Sequence, residues 1–216
     1  MRFIARAAFA LLTLMPLASG AADDATPKEG AQYKAVLQPQ DPINDKKIEV
    51  TEVFWYGCPH CYHFDPTIEG WRAKAPADVV FDRLPATLGR ADGAVHARAF
   101  FIAESLGVTD KVHKPLFNAI HQDHQPMSTL DSIRDLFAQV AGVKPADFDQ
   151  ASSSFMVDSR MRRAESLLRA YGITSVPTMI VDGRYMTGAG MAGSEEKVLD
   201  VLNFLVEKVR KERKLK

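Results

Sequence analysis

The spacing of apolar positions changes character twice along the chain. Residues 48–55 are dense in β-branched and aromatic side chains and read as the strongest strand, and 79–84 read as a second, stopped by Pro85. From about Thr87 to Tyr171 the spacing is helical throughout. It predicts helices over 94–106, ended by Gly107, and over 110–124, with Pro115 near the first turn. Further helices open at Ser128, with Asp131 as the capping-box acid and Gly142 as the stop, at Pro145, and over 157–171, ended by Gly172. Strand character returns at 178–181 and 184–187 around an Asp182-Gly183 turn, which is a hairpin signature. Ser194 caps a last helix, with Glu195 and Glu196 in its first turn. Lys208, Arg210, Lys211, Arg213 and Lys214 crowd its far end, where the helix dipole favours cations, and read as a solvated terminus. Upstream, 32–37 is a short strand, 39–47 a loop and 23–30 a mobile polar leader. The order is β-β-α-β, then helices, then β-β-α: an α/β domain with a helical domain inserted in it.

The first residues follow a different logic. Arg2 and Arg6 precede an apolar run over 7–17, and small residues fill 18–22, with cleavage options after Gly20, Ala21 or Ala22. That is the pattern of a secretory signal peptide, and the run is too short for the roughly 20 residues of a membrane anchor. Residues 1–22 are therefore expected to be removed, and the product to be soluble in a bacterial periplasm or an equivalent oxidising space.

Composition narrows the function classes. Hydrophobic residues make up 46% and charged residues 25% of the 216, which is ordinary for a globular chain. Lys+Arg and Asp+Glu both number 27, so no global field draws nucleic acid to the molecule.

The chemistry concentrates in Cys58-Pro59-His60-Cys61, which follows the strongest strand and opens a helix. Two intervening residues bring both sulfurs within disulfide reach across one turn. The first sits where free N–H groups and the helix dipole favour a thiolate, and His60 adds to that stabilisation. Cys61 lies a turn deeper and less accessible. This asymmetry suits a catalytic dithiol, with Cys58 for attack and departure and Cys61 for resolution. Two alternatives remain: a structural disulfide, which so small a loop hardly stabilises, and a metal site recruiting His60 or His63, or the His121/His124 pair, which lacks a second cysteine pair. A c-type haem is closed, because Tyr62 stands where its histidine is needed.

Two further features bear on the dithiol. Strand alternation puts Glu52 on the same face as Ile48, Val50 and Phe54, an expensive place for a carboxylate. Glu52 is either a buried proton acceptor for Cys61 or lies at a bent strand tip that meets solvent or a basic partner; Arg83, on the next strand, is the pairing partner expected. Ser175-Val176-Pro177-Thr178 places a proline directly before an apolar strand, and either a cis or a trans bond satisfies the pattern. Met179, Met186 and Met191 are candidates to line an apolar groove there, with core packing as the alternative for each.

Taken together, the segment from Glu52 to Tyr62, the helical insert, Ser175-Val176-Pro177-Thr178, the Asp182-Gly183 hairpin and the last helix resemble, in that order, the DsbA family of periplasmic thiol:disulfide oxidoreductases. The resemblance implies a thioredoxin-like fold over 23–86 and 172–216, with an inserted helical domain over 87–171. It implies Cys58 as nucleophile, Cys61 as resolving cysteine and Pro177 as a cis proline, with Pro59, Val176 and Thr178 beside bound substrate. Glu52 matches the family's buried acid, whereas Arg83 stands where the best-known members carry lysine, so proton shuttling through it is not expected. The family further implies a monomer that donates its Cys58–Cys61 disulfide to unfolded exported proteins without a cofactor or metal. A DsbB-type membrane reoxidase linked to quinone then renews it. The other expectations weighed are a disulfide isomerase or reductase of the same fold and a non-catalytic export chaperone.

Overall fold

The computed structural model describes residues 26–215, so the signal-peptide reading of 1–22 lies outside the described residues. Five strands form one mixed sheet: β1 (Lys34–Ala35), β2 (Ile48–Phe54), β3 (Val79–Pro85), β4 (Thr178–Val181) and β5 (Tyr185–Thr187), ordered β1-β5-β4-β2-β3. β2 and β3 run parallel, joined through helix α1 (Pro59–Arg72), and every other pair is antiparallel. β2 lies between β4 and β3 and is covered on both faces, so that even Thr51 and Glu52 in its IEVTEVF sequence are buried.

Six helices follow α1 before the last: α2 (Ala91–Ser105), α3 (Thr109–His121), α4 (Leu130–Ala141), α5 (Pro145–Ser152), α6 (Phe155–Tyr171) and the short α7 (Ala189–Ala192). The chain closes with α8 (Glu195–Glu212). On one side of the sheet Ile48, Val50, Met179 and Val181 pack with Phe64 and Ile68 of α1 and Leu202 and Leu205 of α8. The Trp71 indole N–H donates to Asn203 Oδ1 at 2.8 Å and ties those two helices together. On the other side Val53, Leu84 and Ile180 pack with the α2–α6 layer. α2 is the axis of that layer: His96, Ala97, Phe100, Phe101 and Ile102 are all buried, so it shows no single apolar stripe.

Several boundaries depart from the sequence reading. α2 starts at Ala91, three residues early, and α3 stops at His121, so His124 leaves the helix with φ +53°. Pro115 therefore lies in mid-helix and not in the first turn. The α4 cap is Thr129, one residue beyond Ser128, its hydroxyl accepting the Ser132 N–H at 3.2 Å. From Lys28 the polar leader is no mobile strand of chain but a turn, held by Lys28 N–H on Gln32 Oε1 and a bridge between Glu29 and Tyr33. Asp182 and Gly183 take φ +54° and +64°, the left-handed pair a two-residue hairpin turn requires.

The basic end of α8 is the clearest correction. Arg210 grips Asp78 through two N–H···O contacts of 2.7 and 2.9 Å. Arg213 donates to Asp182 at 2.6 Å and to the carbonyls of Lys47 and Asn44. These cations are tertiary clamps because α8 ends over the loop before β2 and the β4–β5 turn. Asp182 is fully buried, with Oδ2 lacking a hydrogen-bond partner, so burial raises its pKa against the pull of Arg213. Arg213→Met is expected to cost about 3 kcal/mol of stability at neutral pH. The loss should shrink in acid, where Asp182 is neutral; denaturant unfolding at the two pH values reads it.

Candidate active site

β2 ends at Phe54, and Trp55-Tyr56-Gly57 turns the chain into α1 with Cys58 as the N-cap and Pro59 in the first turn. A Cβ on Gly57 would sit 2.3 Å from the Trp55 ring, so glycine is what allows the turn to close. The Cys58 side chain makes no capping bond to the helix, which leaves N–H groups of the first turn facing the sulfur. The two thiols are unbonded, and the described state is the dithiol.

The two sulfurs are electrostatically opposite. The Cys61 thiol donates to Cys58, and with the backbone N–H groups of Cys61 and His60 and the His60 charge it lowers the Cys58 pKa to about 6, against the cost of burial. Cys61 is wholly buried, and burial first, then its bond to Cys58 and the nearby charges of Cys58 and Glu52, push its thiol far up. His60 and Pro59 are exposed beside the sulfur.

Glu52 is buried at 1% exposure and faces Arg83 across the parallel β2–β3 register. Arg83 Nε donates to Glu52 Oε2 at 2.9 Å, so the basic partner is the one expected, and the carboxylate does not reach solvent. Burial nevertheless lifts Glu52 to a pKa of about 7, Arg83 offsetting part of the cost and Asp65 and Glu69 adding to it. Arg83 Nη2 also donates to Asp65 Oδ1 at 3.1 Å and Glu69 Oε1 at 2.6 Å. His113 Nε2 meets the same Asp65 oxygen at 3.1 Å, and Tyr56 Oη lies 2.8 Å from His113 Nδ1.

Asp65, Glu69 and His113 were absent from the sequence reading, and Tyr56 entered it only as part of the segment from Glu52 to Tyr62. Cys61, Asp65 and Glu69 stand four apart on one stripe of α1, so the acids on the dithiol's own face were a usable signal. No comparable signal existed for His113, which sits among Val112, Leu116 and Phe117 on an apolar face of α3.

Beside Cys58 runs a cleft lined by His60, Val176, Pro177, Thr178, Met191 and Glu195. The Val176–Pro177 bond is cis, and the Val176 carbonyl lies 3.6 Å from Cys58 Sγ. The Thr178 hydroxyl donates to the Ser175 carbonyl at 2.8 Å and is buried. Of the three candidate methionines only Met191 reaches the cleft. Met179 and Met186, on strands packed between core layers, are buried at 0% and 4%. The histidines weighed as metal ligands do not converge: His121 bonds the Tyr56 carbonyl and stacks on Tyr62, while His63 and His124 are exposed.

Comparison with known proteins agrees with this geometry. The profile of the DSBA-like thioredoxin domain family matches residues 83–195. The thiol:disulfide interchange protein DsbA of Pseudomonas aeruginosa is 42% identical over 207 residues, covering 96% of each chain. That of Burkholderia cepacia is 38% identical over 204 residues, 93% of this chain and 95% of the other. The crystal structure of Pseudomonas aeruginosa DsbA superposes with a TM-score of 0.82 at 42% identity, covering 89% of this chain and 98% of that one. The oxidoreductase DsbA of Xylella fastidiosa gives 0.80 at 31% identity, over 86% and 99%.

Two measurements follow from the electrostatics. Titration of the Cys58 thiolate by ultraviolet absorbance should show a midpoint near pH 6, and Cys61→Ala, which removes the thiol donor to Cys58, should raise it by about one unit or more. Glu52 has a folded pKa raised from 4.5 to about 7, so its neutral form stabilises the fold below pH 4.5 and that benefit is lost as pH rises through 7. Glu52→Gln should therefore be more stable than the parent above pH 7, by roughly 1–3 kcal/mol, with no difference in acid; denaturant midpoints at both ends test this.

Proposed function

Because this chain belongs to the DsbA family of thiol:disulfide interchange proteins and is a thiol:disulfide oxidoreductase, we propose that it works as a dithiol oxidase, donating a Cys58–Cys61 disulfide to exported proteins. The observation that carries this direction is the contrast between the two sulfurs, one stabilised as an anion and the other held as a thiol.

A substrate thiolate attacks the Cys58 sulfur of the disulfide; the Cys58–Cys61 bond breaks, and a Cys58–substrate bond forms. Cys61 departs into a buried site that disfavours its anion and takes a proton, for which Glu52, half-protonated near neutrality, is the source. The substrate's second thiolate then attacks its own bridging sulfur, forming the substrate disulfide and expelling Cys58 as a thiolate. A thiolate with a pKa of about 6 leaves readily, and the same stability of the reduced form makes the disulfide an oxidant. When the disulfide is renewed, Cys61 attacks the Cys58 mixed disulfide and Glu52 accepts its proton.

His60 contributes charge at the sulfur, and the cleft along Val176, cis Pro177 and Thr178 takes an extended segment of substrate, with Pro59 at its rim. The apolar wall and adaptable Met191 suit many sequences. No helix of the described residues is long and apolar enough to cross a membrane. We place the processed chain in the periplasm as a monomer, with unfolded exported proteins as clients, no cofactor beyond its own disulfide, and a DsbB-type quinone-linked membrane protein as reoxidase.

Oxidation of a reduced dithiol peptide is the decisive assay. Cys58→Ser should abolish it, and Cys61→Ala, given the peptide as its mixed disulfide with glutathione, should accumulate a Cys58–peptide disulfide with release of glutathione, visible by mass spectrometry; no accumulation would overturn the two roles. The reduced protein should also unfold at higher denaturant than the oxidised one, by a margin that grows as pH rises from about 6. The opposite order would contradict thiolate stabilisation as the source of oxidising power.

A further inference from the structure

The buried charges do not end at Glu52 and Arg83. Asp65 continues the chain, and it lies where the core meets two surface clefts, one lined also by Glu69, Arg72, Asp110 and Lys114, the other by Tyr62, Pro66 and Asn118. His113 meets Asp65 from α3 and is itself buried at 6% exposure. A carboxylate only accepts, so His113 Nε2 carries the proton and donates to Asp65 Oδ1. Burial lowers the His113 pKa and keeps the ring neutral, which leaves Nδ1 as an acceptor for the Tyr56 hydroxyl. Tyr56, two residues before Cys58, thus fixes the tautomer of a histidine on another helix.

We propose that His113 is a positioning residue for the thiol–disulfide reaction: its Nε2–H, in the tautomer set by Tyr56, holds the Asp65 carboxylate against Arg83 and so limits how much of the Arg83 charge is left for Glu52. Three acids share one guanidinium here, with Glu52 on Nε and Asp65 and Glu69 both on Nη2. The other charged groups around them are Arg72 on α1, Asp110 and Lys114 on α3, and Asp82 on β3, whose carboxylate takes the Arg83 backbone N–H. Asp65 lines both clefts and has Lys114 as a second cation to turn to, whereas Glu52 is sealed and Glu69 is already 40% exposed. Released from His113, it turns outward; Arg83 then serves Glu52 more fully, and the Asp65 charge that disfavours a Glu52 anion recedes.

The inference rests on the reading of Glu52 as proton partner of Cys61. In the step concerned, the Cys61 thiol gives its proton to Glu52, its sulfur bonds to Cys58, and the bond from Cys58 to the oxidant's sulfur breaks to release that sulfur as a thiolate. Stopped-flow oxidation of the reduced protein by oxidised glutathione, at concentrations where the rate no longer depends on glutathione, reads this step as a function of pH. His113→Leu should move the midpoint of the rate profile to lower pH by about half a unit, a roughly threefold change in the ionised-to-neutral ratio of Glu52. His113→Gln, which returns an N–H donor, should restore at least half of that shift. Both variants are expected to lose stability, since each disturbs a buried bond to Tyr56, so thermal stability alone decides nothing. An unmoved or raised midpoint in His113→Leu, or a Gln variant indistinguishable from Leu, overturns the proposal. Glu52→Gln separates the layers: if it abolishes the pH dependence while His113→Leu leaves the midpoint unmoved, only the positioning role fails. If the dependence survives Glu52→Gln, the reading of Glu52 fails and the inference with it.

Discussion

A sulfur anion held at the mouth of a helix is the constraint around which the rest of this molecule is arranged. The Cys58 anion is favoured by the Cys61 thiol, two backbone N–H groups and the charge of His60, all within the first turn of α1. That turn is held in place because β2, a central and almost wholly buried strand, delivers the chain to it and because α1 is anchored to α8 through Trp71 and Asn203. Donors fixed by the fold cost no reorganisation when the charge appears, which is the general advantage of a preorganised site.

The same arrangement creates a second difficulty, and Glu52 with Arg83 answers it. Burial makes ionisation of Cys61 costly, yet the proposed cycle has it gain and lose a proton. A carboxylate near neutrality serves that need only if its burial is balanced, neither fully compensated nor left alone. Arg83, divided among Glu52, Asp65 and Glu69, supplies that partial compensation. Arginine keeps its proton, so its part is to set a potential and not to carry protons. A buried ion pair of this kind is poor evidence of stability and better understood as a device for holding a charge state.

How much of this was legible depended on whether the signal was local. Cys58 and Cys61, the strand before them and the hairpin at Asp182-Gly183 announced themselves through spacing and turn chemistry. The Arg83 partner followed from adjacent strands, since a parallel pair brings Glu52 and Arg83 into register. Helix ends were less legible. Ser128 and Thr129 are both good caps, and only the hydrogen bond to Ser132 decides between them. The basic residues of α8 misled for a related reason: cations at a helix end satisfy the dipole whether or not an acid waits across the fold, and Asp78 and Asp182 lie far away in sequence.

The amino-acid order by itself determined the dithiol, its asymmetry, the strand that presents it and the helical layer between the two parts of the sheet, because periodicity, capping and a two-residue spacing act over a few residues. Only the tertiary structure decided that Val176 and Pro177 stand beside Cys58, that Met191 and not Met179 faces the cleft, and that Tyr56, His113 and Asp65 join Arg83 in one buried cluster. Those contacts connect residues 18 to 118 positions apart, and their energies depend on burial and direction, which no local pattern encodes.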